Sequence, residues 1–144
     1  MKRYLGLVIF FMFFTLTAAA TFVLPARIGG SVTVDGVTLT SSTDDGYVFR
    51  VTGKDGKDFS TPAEDKDGLN SAGKYIIDIP IYDPTKQPKG AKPESTAVIH
   101  VYKNGVEMKV EKPAGGEFIV GKSGTITHID LKVTSSNPVS LEKK

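Results

Sequence analysis

The sequence contains no cysteine and no tryptophan, and it has only two histidines. Without cysteine the chain has no disulfide bond, no thiolate metal site, no c-type haem attachment and no lipid-modified N-terminal cysteine. Two histidines are too few for a His-rich metal site. We therefore expect no bound cofactor, and a fold that depends on its packed hydrophobic core.

The sequence also lacks net charge once its N-terminal segment is set aside. The whole chain has 18 basic and 16 acidic residues. Lys2 and Arg3 lie at the extreme N-terminus, so removing them leaves 16 residues of each sign. A neutral chain has no general electrostatic attraction to nucleic acids or anionic membranes. We therefore expect neither nucleic acid nor an anionic membrane surface as a partner.

The first 24 residues have the pattern of a secretory signal. Lys2 and Arg3 form a positive start, residues 5–16 are an uncharged apolar run, and residues 18–20 are three alanines. This order is typical of a cleaved signal peptide. We predict export to the periplasm, the cell surface or the medium. The alternative is an uncleaved anchor, because residues 4–24 are uncharged and about 20 apolar residues span a bilayer.

No part of the chain after residue 24 has helical periodicity. Short alternating runs bounded by Gly, Asp, Asn and Pro predict strands instead. We predict an all-β fold, an antiparallel β-sandwich of about eight short strands. The predicted organisation is a signal peptide at 1–20, a leader at 21–28, the sandwich at 29–134 and a flexible tail at 135–144.

Two dipeptides predict β-hairpins, because Asp-Gly and Asn-Gly favour the tight turns that join antiparallel strands. Around Asp35-Gly36 the predicted pairs are Thr33 with Thr38, Val34 with Val37 and Val32 with Leu39. Around Asn104-Gly105 they are Tyr102 with Glu107, Val101 with Met108, His100 with Lys109 and Ile99 with Val110. Further strands are predicted at 47–51, 73–82, 118–120 and 127–133, with loops at 60–72 and 83–95.

Residues 29–82 resemble carboxypeptidase regulatory-like domains. The resemblance rests on the strand and turn of residues 30–39, the run and turn at 48–57, and the Gly-x-Tyr strand at 73–80. It implies a transthyretin-like or immunoglobulin-like sandwich. Such domains are usually non-catalytic accessory, adhesion or assembly modules, and they share no catalytic residues that could be assigned here. The long proline- and lysine-rich loop departs from the family pattern.

Residues 116–123 match the phosphate-binding pattern G-x-x-x-x-G-K-S. That chemistry needs a flexible loop leading into a helix, whose backbone N–H groups surround the phosphates. Here the middle of the motif is Phe-Ile-Val, and the following residues also alternate as a strand. We therefore predict no nucleotide site.

Asp65, Asp67 and Asn70 could supply oxygen ligands to calcium in a turn. The spacing does not fit an EF-hand, because Lys74 occupies the position of its bidentate glutamate. A polar turn, in which Asp and Asn side chains bond to nearby backbone, explains the same residues. We prefer the polar turn and leave the calcium site as the alternative.

His128 and Asp130 are predicted on one side of a strand, which could begin a metal site or an acid–base site, but no third ligand is evident. No nucleophile accompanies them, and no G-x-S-x-G motif is present. We predict a non-enzymatic module for protein–protein interaction or surface assembly, either self-association or partner binding through a strand edge. The alternative is a small carbohydrate-binding module that uses the outward residues Tyr82, His100 and Tyr102.

The signal-peptide prediction can be tested by mass spectrometry. The exported protein is expected to begin at residue 21, because the alanines present small side chains to the signal peptidase. Replacing Ala18 and Ala20 with leucine should block this processing. An unmodified exported protein that retains residues 1–20 would instead identify the segment as an anchor.

Overall fold

A computed structural model describes residues 22–40, 46–59, 61–62 and 68–135. The predicted signal peptide, Asp65, Asp67 and almost all of the predicted tail lie outside these residues. Within the described part of the chain, no helix is long and apolar enough to cross a membrane.

The described residues form ten strands and a single turn of 3₁₀ helix at Ala114–Gly116, which confirms the all-β prediction. The strands are β1 (Ala26–Val34), β2 (Val37–Thr38), β3 (Tyr47–Gly53), β4 (Thr61–Pro62), β5 (Lys74–Ile79), β6 (Thr96–Lys103), β7 (Val106–Lys112), β8 (Glu117–Ile119), β9 (Ile126–His128) and β10 (Leu131–Thr134).

The strands form one curled sheet that is compatible with a β-sandwich. Its order is β3-β6-β7-β10-β1-β5-β4, with β2 and β9 also paired to β1 and β8 also paired to β6. The sheet is mixed, whereas the sequence predicted only antiparallel pairing. Strand β1 runs parallel to β9 and β10, about 100 residues later in the chain. Parallel pairs need a long connection, and here most of the domain provides it.

Strand β1 changes its partner strands along its length. Its first half pairs with β5 and β9, and its second half pairs with β2 and β10. Gly29 and Gly30 lie where it changes partners. A Cβ on Gly29 would lie 2.7 Å from Tyr75 O, and one on Gly30 would collide with Ile129 O. Glycine is therefore required for neighbouring backbones to approach this closely.

The strand predicted at 127–133 is divided into β9 and β10. Between them, Asp130 Oδ1 accepts hydrogen bonds from Ser31 N at 2.8 Å and Ser31 Oγ at 2.6 Å. A side chain thus takes the place of a ladder hydrogen bond at the point where β1 changes partners. The alternation of apolar residues continues through this break, so the sequence did not reveal it.

The core contains the inward side chains of the curled sheet. Phe49 of β3 stacks on Tyr75 of β5, with ring centroids 5.2 Å apart. Tyr75 is fully buried, and its hydroxyl donates to Ile129 O at 2.7 Å. Burial raises the pKa of Tyr75, and nearby Asp130 raises it further. The phenol is therefore a neutral donor that joins the core to the β9–β10 junction.

Both predicted hairpins form. Asp35 and Asn104 have positive φ angles, as do the glycines after them. Thr33 pairs with Thr38 and Val34 with Val37 across Asp35-Gly36, as predicted. Across Asn104-Gly105 the predicted pairing holds only as far as Val101 with Met108.

The predicted pairs Ile99–Val110 and His100–Lys109 are wrong. Strand β7 leaves β6 beyond Met108, and Val110 pairs with Val133 of β10. Strand β8 replaces β7 beside the first half of β6. Gly116 permits the exchange, because a Cβ there would collide with Ile99 O.

Replacing Tyr75 with phenylalanine is expected to lower the free energy of unfolding by about 1 kcal/mol, the usual worth of one hydrogen bond. The ring and its stacking remain, and only the bond to Ile129 O is lost. Tyr82→Phe is the matched control, because Tyr82 is exposed. Chemical denaturation measures both variants, and equal stabilities of the two would contradict the structural role of the Tyr75 hydroxyl.

Candidate functional site

His100 and Tyr102 lie on the outer face of β6, as the alternation predicted. His100 Nδ1 lies 2.6 Å from Glu107 Oε1, and His100 Nε2 lies 3.0 Å from Thr52 Oγ1. Both ring nitrogens therefore have partners on the neighbouring strands. The sequence predicted Lys109 opposite His100, but the side chain on β7 that contacts His100 is Glu107.

Tyr102 packs beside His100, with ring centroids 6.4 Å apart and an interplanar angle of 23°. It is half-buried. Burial raises the pKa of Tyr102, with smaller upward contributions from Glu107 and Asp58. The two rings therefore lie side by side on the outer face of β6.

Tyr82, the third residue of the carbohydrate hypothesis, lies elsewhere. It shares a hollow with Gly53 and Thr96, at the start of β6. Thr96 precedes Tyr102 by six residues, which is about 20 Å along a strand. The structure therefore places His100 and Tyr102 together and Tyr82 apart from them.

Tyr82 borders a cleft that sequence reasoning missed, here called the lysine cleft. It consists of two adjoining hollows of about 390 and 410 Å³ that share Phe59, Pro88 and Gly90. Charged residues dominate the rest of its lining: Lys54, Lys57, Lys86, Lys89, Lys92, Asp55 and Asp58. Their only signal in the sequence was the density of lysine in the segments at 54–57 and 86–92.

Backbone hydrogen bonds hold both sides of the lysine cleft. On one side Gly53 N donates to Lys57 O, and Phe59 N donates to Val51 O. This turn places Lys57 Nζ 5.3 Å from the centroid of the Phe59 ring. The 54–59 segment therefore continues the edge of β3 instead of projecting freely.

The opposite side is the loop predicted at 83–95. Asp83 Oδ1 accepts hydrogen bonds from Thr85 N and Lys86 N, and these bonds lower the pKa of Asp83. Ala91 N donates to Pro80 O, which closes the base of the loop. The loop is thus held by its own hydrogen bonds and by isolated bridges that join Ile81 with Ala91 and Asp83 with Gln87.

A second surface, here called the Ile126 surface, lies on the outer face of β1, β5 and β9. Two apolar side chains that border its hollows are largely exposed: Leu24 at 55% and Ile126 at 78%. Ile126 and Arg27 border two shallow hollows of about 180 and 210 Å³. At the edge, Arg27 forms a two-bond ion pair with Asp78, at 2.7 and 2.9 Å.

Strand β9 is an edge at this surface. Thr125 O accepts from Arg27 N, and Ile129 N donates to Gly29 O. Because alternate peptide groups point in opposite directions, those of Ile126 and His128 face away from β1. Among the described strands, only β1 pairs with β9. This edge can therefore accept hydrogen bonds from an added strand.

Ser31, Asp130 and His128 meet beside this edge. His128 Nε2 lies 3.0 Å from the same Asp130 oxygen that accepts from Ser31. Ser31 therefore donates to a carboxylate, whereas the serine of a Ser-His-Asp triad donates to an imidazole. The bonds from Ser31 chiefly lower the pKa of Asp130, to about 2, with a smaller effect of His128. So acidic a carboxyl is a weak general base at neutral pH.

The structure describes the phosphate-loop match fully and the calcium candidates in part. The phosphate-loop match at 116–123 contains β8, and Lys122 Nζ lies 3.3 Å from Glu94 Oε1. Asn70 Oδ1 accepts from the backbone N–H groups of Ala72 and Lys74, as in a polar turn. Asp65 and Asp67 lie outside the described residues. Within those residues, no group of three His, Asp or Glu side chains could hold a metal ion.

No protein-family model, curated protein or solved structure matches this chain. The described geometry is therefore the basis for any functional assignment.

The pKa of Asp130 provides a test of the Ser31 contact. Ser31→Ala should raise it towards its ordinary value, and His128→Ala should raise it less, because Ser31 supplies the larger stabilisation of the carboxylate. Carbon-detected NMR titration measures both. Since the folded pKa is lowered, the stabilising contribution of Asp130 is complete above about pH 4 and declines as the pH falls towards 2. Equal shifts in the two variants would contradict the assignment.

Proposed function

We propose that this chain is an exported, non-catalytic module that binds a protein partner through the Ile126 surface. The observation that carries the proposal is the exposure of Leu24 and Ile126 beside one hollow, with Ile126 also bordering a second. Exposed apolar side chains that lie together and are bordered by charged residues are typical of protein-binding surfaces.

The edge of β9 supports a specific mode of binding. A partner strand can hydrogen-bond to the outward peptide groups of Ile126 and His128. The hollow lined by Gly29 and Ile76 lies next to this edge and can receive an apolar partner side chain. Backbone pairing would give affinity, and the hollow would give specificity. The partner is either another protein or a second copy of this chain.

The geometry of the polar groups supports a non-catalytic role. His100 is held by Glu107 and Thr52, and Ser31 is bonded to Asp130 rather than to His128. Each contact connects neighbouring strands. These side chains therefore have a structural explanation that needs no reaction.

The resemblance of residues 29–82 to carboxypeptidase regulatory-like domains is part of the same proposal. The curled all-β sheet is compatible with the sandwich that the resemblance implies. Members of that family commonly act as accessory or assembly modules, which agrees with partner binding. Export to the periplasm, surface or medium is likewise proposed, on the pattern of residues 1–20.

Site-specific photo-crosslinking tests the binding surface. Benzoylphenylalanine at position 126 is expected to form a discrete protein adduct in intact cells. The matched control is position 106, because Val106 is also apolar and 64% exposed but lies at the tip of the β6–β7 hairpin. Ile126→Glu should weaken partner binding at least tenfold, or about 1.4 kcal/mol.

Light scattering of the purified protein then identifies the partner class. A dimer that Ile126→Glu converts to a monomer indicates self-association, and a monomer with a foreign adduct indicates another protein. Adducts that are absent at 126, or equal at 126 and 106, would refute the proposed surface. Melting temperatures of Ile126→Glu and of the proteins with benzoylphenylalanine at position 126 or 106 establish that they remain folded.

A further inference from the structure

We propose that the lysine cleft binds an anionic saccharide, with one sugar ring against Tyr82 and its acidic groups against the lysines. The site is separate from the Ile126 surface, and this proposal does not depend on the protein partner. It also differs from the predicted carbohydrate site, because His100 and Tyr102 take no part in it.

The first argument is the segregation of charge. Five lysines and two aspartates line the cleft, and Asp83 in its wall also interacts with Lys86. Residues 21–144 as a whole have equal numbers of each sign. Lys54 is partly neutralised by Glu117, at 3.3 Å. Among the described residues, Lys57, Lys89 and Lys92 have no carboxylate in ion-pair contact. Three lysines without an ion pair in the described part of the chain therefore line one concave surface.

The second argument is the apolar component of the lining. Tyr82 is 42% exposed, so part of its ring is available to a ligand. Phe59 lies between the two hollows, with Lys57 beside its ring. An aromatic face can pack against the C–H face of a sugar, while its polar edge remains hydrated. The cleft thus combines an exposed aromatic ring with cationic side chains. This combination suits a ligand that is both ring-shaped and acidic.

The size and rigidity of the cleft agree with a small acidic oligosaccharide. Hollows of about 390 and 410 Å³ lie in the range of small-molecule sites. The turn at Lys57 and the Asp83 turn hold the two walls before a ligand arrives, so little ordering cost remains. A single exposed ring is a poor match for single-stranded nucleic acid, which stacks successive bases on several aromatic side chains.

Uronate carboxylates and sulfate esters share the chemistry that this site recognises. Calorimetry of the purified protein, expressed from the full chain, should therefore compare oligogalacturonate, a dextran sulfate oligosaccharide and neutral dextran. At least one acidic probe is expected to bind, and its affinity should fall as the salt concentration rises. The probe with the higher affinity shows whether the site prefers carboxylates or sulfate esters. Neutral dextran is expected not to bind. Failure of both acidic probes would overturn the proposal.

Variants distinguish a site from general attraction between charges. Tyr82→Ala should weaken binding of the acidic probe about tenfold, as truncation of a central aromatic contact commonly does. The double variant Lys57→Gln/Lys92→Gln should weaken it at least as much. Lys109→Gln/Lys112→Gln removes the same charge from exposed positions on β7 and should have little effect.

Two results would contradict the inference even if an acidic probe binds. One is an equal loss in the two double variants, which would indicate net charge alone. The other is unchanged affinity in Tyr82→Ala together with equal binding of single-stranded DNA, which would indicate a nonspecific polyanion surface. Thermal melts establish that each variant is folded.

Discussion

The close approach of β1 to its neighbours at Gly29 and Gly30 determines the arrangement of the other strands. At this point β1 changes its partner strands, and only glycine leaves room for the backbone oxygens of Tyr75 and Ile129. The Asp130 carboxylate bonds to Ser31 at the same place. One strand thus pairs with four others, β2, β5, β9 and β10. This connection unites residues that are about 100 positions apart in the sequence without a disulfide bond.

The two proposed binding surfaces follow from this arrangement in different ways. The Ile126 surface depends directly on β1, because the parallel pairing of β9 leaves Ile126 exposed and the absence of a Gly29 side chain leaves a hollow beside it. The lysine cleft does not involve β1, and it lies between the segment after β3 and the loop before β6. The first surface is apolar and has a free strand edge, whereas the second is cationic. They are therefore suited to different classes of ligand.

The polar clusters show how a residue pattern can suggest chemistry that the folded geometry does not support. His128 and Asp130 do meet, but Ser31 occupies the same carboxylate oxygen and makes Asp130 strongly acidic. His100 contacts Glu107 instead of facing Lys109, because β7 leaves β6 earlier than simple hairpin pairing predicts. The same residue types would form a Ser-His-Asp triad only if the histidine lay between the hydroxyl and the carboxylate. Their order in space, rather than their presence, decides the role.

The sequence by itself determined the all-β class, the two tight turns and the outward positions of His100 and Tyr102. Alternation and positive-φ turn residues act over a few neighbouring positions, so they can be recognised locally. Only the tertiary structure decided that β1 runs parallel to β9 and β10, that β8 replaces β7 beside β6, and that Tyr82 lies apart from Tyr102. It also brought the lysines of two distant loops to one cleft. These features depend on backbone contacts between remote segments, and no local pattern encodes which remote segments will pack together.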